Sequence, residues 1–183
     1  NSGVPLIIKL NGKTNLLKGE PMSEQLCTVD EAISLGASAV GYTIFIGSEY
    51  ESKMLKEFEK IESESHKKRI PVIAWIYPRG KSIEGRSSTE LMAYSARVGL
   101  EIGADIVKLQ YNGNVADLKW AVKSAGKCKI VLSGGAKTSE KEVLQEAEDA
   151  ISAGASGLAI GRNVWQAKNP IDISKKIRKI IFG

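Results

Sequence analysis

The feature that most constrains the fold of this sequence is a junction that it uses three times. Leu35-Gly36-Ala37-Ser38, Ile102-Gly103-Ala104-Asp105 and Ala153-Gly154-Ala155-Ser156 each stand between an amphipathic stretch and an apolar one. Glycine there supplies the left-handed residue that ends a helix and lets the chain turn straight into a strand. A repeated junction of this kind implies a repeated βα unit. The apolar runs are residues 6–10, 39–46, 71–77, 105–111, 129–132 and 157–160. They are rich in Val and Ile and mostly lack clean in/out alternation, the pattern of strands in a parallel sheet covered by helices. Between them, Met54, Leu55, Phe58 and Ile61 make one helical stripe, and Val143, Leu144, Ala147, Ala150 and Ile151 another. Thr28 before Glu31, Ser87 before Glu90 and Ser139 before Glu142 mark helix starts of the capping-box type. The reading is a right-handed α/β architecture of six βα units.

Two architectures satisfy that count, a doubly wound sheet and a barrel. A dinucleotide-binding sheet should carry G-x-G-x-x-G after its first strand, and none is present. Asn11-Gly12-Lys13-Thr14 looks like the tail of a phosphate-binding loop, but the position of the required first glycine is Ile7, so it reads as a turn. Polar residues instead cluster at the C-terminal ends of several strands: Lys9 and Asn11, Trp75 to Arg79, Lys108 and Gln110, Ser133 to Gly135, Gly161 and Arg162. Convergence of this sort is the habit of a (β/α)8 TIM barrel. The expectation is a barrel-type fold with about six units present, residues 1–183 forming a single, incomplete domain.

Composition narrows the chemistry. One histidine, His66, and two cysteines, Cys27 and Cys128, leave little for a zinc site or a disulfide framework, so no metal and no cofactor are expected. Lys and Arg total 26 against 21 Asp and Glu, interspersed rather than in runs; this suits small anions better than nucleic acid. No apolar run reaches membrane-spanning length and no leader pattern opens the sequence, which leads to an expectation of a reducing cytoplasm and no membrane partner. The sequence begins at Asn1 without Met and enters a strand within five residues, which suggests a missing front end.

Lys108 is the most informative residue. In Ala104-Asp-Ile-Val-Lys-Leu-Gln-Tyr111 it shares one strand face with Ala104, Ile106 and Gln110. An ammonium on so apolar a strand is costly to bury, and the usual relief is a lowered pKa that leaves a neutral amine, which can attack carbonyls. The alternative is a lysine that tops the strand and reaches solvent or a carboxylate. In Pro71-Val-Ile-Ala-Trp-Ile-Tyr-Pro-Arg-Gly80, the residues Ile73, Trp75, Tyr77 and Arg79 alternate onto one face. Trp and Tyr fill space while offering a donor, and Arg79 at the mouth can grip a phosphate. Read singly, Trp75 is equally a core residue and Arg79 a solvated charge. The turns Ser133-Gly134-Gly135 and Gly161-Arg162 follow the last two strands, where barrels commonly bind phosphate through backbone N–H groups. His66 reads as a surface residue at a helix end, neither cysteine as a nucleophile, and the stretch Glu57 to Glu64 as a solvated helix face.

These residues resemble the archaeal-type class I fructose-bisphosphate aldolases, in the Schiff-base aldolase group that includes deoxyribose-phosphate aldolase. The matching segments are Lys9-Leu-Asn-Gly-Lys-Thr14, Trp75-Ile-Tyr-Pro-Arg-Gly80, Gly103-Ala-Asp-Ile-Val-Lys108, Leu132-Ser-Gly-Gly135 and Ala159-Ile-Gly-Arg-Asn163, in family order through essentially the whole chain. The resemblance implies Lys108 as the Schiff-base lysine, Tyr77 as the acid/base group and Trp75 as pocket lining. It implies Arg79 at the distal phosphate, and Ser133, Gly134, Gly135, Gly161 and Arg162 at the proximal one. It further implies a phosphorylated sugar substrate, metal-independent cleavage of fructose 1,6-bisphosphate and a homo-oligomer. The chain resembles the family only from its third strand onward, so the first two βα units and a first-strand aspartate are expected to be absent. Two alternatives stand beside this: a related aldolase-like synthase for another ketose or deoxyketose phosphate (the 2-amino-3,7-dideoxy-D-threo-hept-6-ulosonate synthase type), and a non-catalytic phosphate-binding fragment.

Overall fold

A computed structural model of the chain describes residues 3–14, 16 and 18–183. In chain order the strands are β1 (Leu6–Lys9), β2 (Asn11–Gly12), β3 (Glu24–Gln25), β4 (Ala37–Ile46), β5 (Val72–Pro78), β6 (Ile106–Gln110), β7 (Lys129–Ser133) and β8 (Gly157–Ala159). The helices are α1 (Val29–Ser34), α2 (Glu51–Lys67), α3 (Ser88–Glu101), α4 (Val115–Ser124), α5 (Glu140–Ser152), α6 (Arg162–Trp165) and α7 (Pro170–Phe182). Six strands form one wholly parallel sheet in the order β1-β4-β5-β6-β7-β8, each the expected apolar run to within two residues, while β2 and β3 make a small antiparallel hairpin. The sheet is a curled half-barrel, with β1 and β8 at its two edges.

Local chemistry explains the boundaries. Thr28 and Ser139 form complete capping boxes with Glu31 and Glu142. Ser87 caps α3 in position only, since its side chain accepts no hydrogen bond there, so this expected box is not formed. Gly36, Gly103 and Gly154 adopt φ of 85°, 80° and 87°. After two of them the chain closes a 6→1 bond, Ala104 N–H to Gly99 O and Ala155 N–H to Ala150 O.

The two faces of the sheet differ. Tyr42, Ile44, Ala74, Ile76, Val107 and Leu132 point outward and are buried beneath the helices with Met54 and Phe58. Inward-facing Ile106 and Val131 are covered only in part, and Ile7 is exposed. The apolar runs thus meet the expectation of two covered faces along β4, buried from Ala39 to Ile46, but only in part on β1, β6 and β7, because six strands do not close on themselves. Glu57 corrects the reading of α2 as a solvated face: its carboxylate accepts the Tyr42 hydroxyl at 2.6 Å.

Candidate active site

Parallel register stacks the inward residues in layers. Lys9, Gly41, Ile73 and Ile106 lie level, then Thr43, Trp75, Lys108 and Val131, and then Phe45 beside Tyr77 and Gln110 beside Ser133. Each layer is two residues, roughly 6.6 Å, further toward the C-terminal ends. Trp75, Tyr77, Lys108 and Ser133 therefore come together on one concave face, as the alternation on β5 and β6 predicts.

The Lys108 amine stands 5.4 Å from the centre of the Trp75 indole. Its pKa is lowered, chiefly by burial and then by the charge of Lys9. None of the six strands contains an aspartate or glutamate, and no ion pair among the described residues involves Lys108. Of the alternative reading, a lysine reaching solvent or a carboxylate, the carboxylate is not found among the described residues, while Lys108 itself is partly exposed. Burial raises the Tyr77 phenol above its ordinary value, opposed by the Ser133 side chain and the charge of Arg79. Arg79 is exposed just past β5, its guanidinium 5.8 Å from the Tyr77 ring centre and 5.9 Å from that of Phe45.

Around Lys108 opens a cavity of about 400 Å³ whose walls include Gly134, Gly135, Gly161, Arg162 and Trp165. The two glycine turns thus meet at the predicted lysine. Arg162 Nη2 donates to the Gly135 carbonyl at 2.9 Å, tying one turn to the other. A side chain at Gly134 would run into Ile160, and one at Gly161 into the Trp165 ring. At Gly135 alone is the space where a Cβ would stand open, while the Gly134 N–H donates to the Ala159 carbonyl at 3.5 Å. A larger groove of about 570 Å³ lies on the outer side, against α3 and α4, away from these groups.

Asn11 is a correction. It reads as a strand-end polar residue or turn, yet it is buried, donating 2.9 Å bonds to the carbonyls of Ser23 and Thr43 and accepting from Thr43 N–H at 2.8 Å. Its work is to fasten the hairpin loop to β4. Sequence reasoning gave no role to two further residues. A Cβ on Gly41 would come within 2.5 Å of the Trp75 ring, so this glycine makes the room in which the indole lies. Lys9 places its amine 5.7 Å from the same ring. Single polar or glycine residues inside the apolar runs were the available signal. Among the described residues no group of three or more His, Cys, Asp or Glu is arranged to hold a metal ion.

The profile of DeoC/LacD family aldolases matches residues 1–167. The chain belongs to this family. Within the DeoC/LacD aldolases it is 46% identical to the class 1 fructose-bisphosphate aldolase of Thermoproteus tenax over 184 residues, covering all of this chain and 70% of that protein. It is 38% identical over 179 residues to 2-amino-3,7-dideoxy-D-threo-hept-6-ulosonate synthase 1 of Archaeoglobus fulgidus, covering 97% of this chain and 66% of that one. The crystal structure of an archaeal fructose 1,6-bisphosphate aldolase superimposes with a TM-score of 0.95 at 46% identity, covering the whole chain and 73% of its own. A second, described as having its catalytic Lys covalently bound to the carbinolamine intermediate of the substrate, gives 0.95 at 44% identity with the same coverage. The expected family and barrel-type fold are borne out.

Proposed function

We propose that this chain acts as a class I aldolase, reversibly cleaving fructose 1,6-bisphosphate into dihydroxyacetone phosphate and glyceraldehyde 3-phosphate through a Schiff base on Lys108. The observation that carries the reading is the cavity that joins the partly buried, carboxylate-free Lys108 amine to both glycine turns and Arg162. The 46% and 42% identities to class 1 fructose-bisphosphate aldolases support the substrate, over the 38% to the synthase.

The neutral Lys108 amine adds to the C2 carbonyl to give a carbinolamine. The Tyr77 phenol protonates the departing hydroxyl, water leaves, and a protonated imine and a phenolate remain. Arg79 and Ser133 stabilise that phenolate. The phenolate takes the C4 hydroxyl proton while the C3–C4 electron pair moves into the imine, releasing the aldehyde and leaving an enamine. The re-formed phenol returns its proton to C3. Water then adds to the imine with its proton passing to Tyr77, and collapse of the carbinolamine frees the ketone and the amine. Ser133, Gly134, Gly135, Gly161 and Arg162 hold the phosphate nearer the imine, Arg79 the other one, and Trp75 shapes the wall beside C2. Fixing both ends orients the reacting carbons, which is where binding energy aids the step. The proposal extends to residues 1–183 working as one incomplete barrel domain, to a homo-oligomer in the cytoplasm, and to a place in glycolysis and gluconeogenesis. Among the described residues no helix is long and apolar enough to cross a membrane.

The test is borohydride reduction in the presence of dihydroxyacetone phosphate, followed by intact mass and peptide mapping. The expected result is one triose-phosphate adduct on Lys108, lost in Lys108→Met. Labelling of another lysine, or none in a folded protein, would overturn the assignment.

A further inference from the structure

The pairing of β7 with β8 ends at Ser133 and Ala159, yet the two chains stay fastened beyond it. Gly134 N–H donates to the Ala159 carbonyl at 3.5 Å, Arg162 Nη2 to the Gly135 carbonyl at 2.9 Å and Lys137 Nζ to the Gln166 carbonyl at 2.7 Å. Among these ties stands Asn163, the second residue of α6. Its Nδ2 donates to the Ala136 carbonyl at 3.3 Å, and its Oδ1 accepts from the Thr138 N–H at 2.9 Å. We propose that Asn163 is the positioning residue of the phosphate site: by bonding the loop after β7 through both ends of its amide, it holds the Gly135 N–H and the Arg162 guanidinium converged on one anion. The inference rests on the reading of the cavity beside Lys108 as a phosphate site.

Three observations support it. First, Asn163 adjoins that cavity yet is only 6% exposed. A primary amide is costly to bury unless its donor and acceptor are bonded, and here both go to one loop, two residues apart. One donor and one acceptor are what a strand residue offers its neighbour, so Asn163 continues the β7–β8 connection by side chain where the backbone pairing stops. The reverse orientation of the amide would set Nδ2 against the Thr138 N–H and Oδ1 against the Ala136 carbonyl, so the network fixes it. Second, residues 134–138 contain no helix or strand, and Arg162 and Lys137 tie them from exposed positions. Asn163 is the buried tie. Third, the Gly135 N–H donates to no protein group among the described residues, and the space where a Cβ would stand is open, whereas the Gly134 N–H is taken up by Ala159. The N–H that is free for an anion thus belongs to the residue before Ala136, and the carbonyl of that same residue carries Arg162. Release of Ala136 would move both groups together.

The experiment compares full-length wild type, Asn163→Ala and Asn163→Leu, the leucine filling a similar volume without the bonds. Affinity for inorganic phosphate is read from the rise of Tm with phosphate concentration, and borohydride trapping on Lys108 is followed against dihydroxyacetone phosphate concentration. The phosphate Kd and the half-saturating triose concentration should rise about tenfold, as expected for two lost hydrogen bonds. The maximal trapping rate should stay within about twofold of wild type, because the phosphate takes no part in bond-making at the carbonyl. Unchanged phosphate affinity in a folded variant overturns the proposal. So does a maximal rate that falls as far as the affinity, the mark of general loosening. Should both variants fail to fold, amide hydrogen exchange of the wild type decides: protection of the Thr138 N–H that grows with added phosphate supports the proposal, and any other profile ends it. Wild type that binds phosphate but forms no adduct on Lys108 refutes the proposed reaction and leaves the phosphate titration to decide the role of Asn163, while wild type that binds no phosphate refutes the phosphate site and this inference with it.

Discussion

Placing one methyl group at Gly41 separates the stability of this fold from the geometry of its site. The Cβ of Gly41→Ala would stand 2.5, 2.8 and 2.9 Å from three atoms of the Trp75 six-membered ring. Carbon contacts prefer about 3.5–4.0 Å, so the ring must retreat by roughly 1 Å. Overpacking of this kind costs about 1–3 kcal/mol. Here the low end applies, because Trp75 is only part-buried on an open face and its ring can swing. Alanine also trims the freedom of the unfolded chain, which returns about 0.4–1 kcal/mol where the backbone permits it, and Gly41 does not have a left-handed φ. Net destabilisation is therefore expected to stay within about 1 kcal/mol. The site should suffer far more, since a 1 Å misplacement around a reacting group can cost about a hundredfold in rate. Urea unfolding gives the first quantity, and the rate of borohydride-trapped adduct formation on Lys108 gives the second. Adding Trp75→Phe to Gly41→Ala relieves the clash and should recover part of the lost rate. Trapping within twofold of wild type in Gly41→Ala would refute the claim that the indole position matters. A stability loss beyond about 3 kcal/mol would refute the claim that the ring is free to move.

Tyr77→Phe should lower kcat for fructose 1,6-bisphosphate cleavage about 10²–10⁴-fold while a slower adduct still forms on Lys108, as steady-state rates and peptide mapping would show. His66 bridges Glu62 at 2.8 Å and Asp105 at 3.0 Å, which raises its pKa above the ordinary value, first through the hydrogen bond to Asp105. A histidine raised on folding stabilises the fold fully below about pH 6.5 and loses that contribution as pH climbs through the folded pKa. His66→Gln should therefore lower the Tm at pH 5.5 and converge on wild type at pH 9, modestly, because the pair is solvent-exposed. Fructose 1,6-bisphosphate at a hundred times its Kd should stabilise the chain by about 2.7 kcal/mol, a rise of several degrees in Tm. Arg162→Ala should need more ligand for the same rise, and an unchanged ligand dependence would remove Arg162 from the phosphate site.

Elements that depend on near neighbours in sequence were legible, and those set by strand register were not. The βα repeat could be read because Gly36, Gly103 and Gly154 are local signals, as are the two complete capping boxes. Ser87 shows the limit: residue types at the right spacing do not force the side chain to bond the backbone. The hairpin β2–β3 escaped because two-residue pairings leave no period to detect. Alternation on β5 and β6 correctly assigned Trp75, Tyr77 and Lys108 to one face. It could not say that Gly41 and Lys9 meet the Trp75 ring, because that follows from the pairing of β1 with β4 and β4 with β5, not from any spacing within a strand. Glu57 is the same case on the outer face, where an acid on an otherwise polar helix stretch finds the buried Tyr42 hydroxyl.

The distribution of charge on the inner face has a logic that chemistry dictates. Two groups must be neutral to begin the proposed reaction, the Lys108 amine and the Tyr77 phenol, and both stand on strands where burial opposes their charged forms. Two must be cationic throughout, Arg79 and Arg162, and both stand past the strand ends, where water supports a guanidinium. The residue types cannot be exchanged. Arginine at position 108 would remain protonated and could not attack a carbonyl, while lysine at 79 or 162 would lose the planar fork that grips a phosphate with two hydrogen bonds. Depth in the half-barrel thus divides the basic residues by what they do. In the proposed reaction the shallow ones hold anions because they cannot lose a proton, and the deep one reacts because it can.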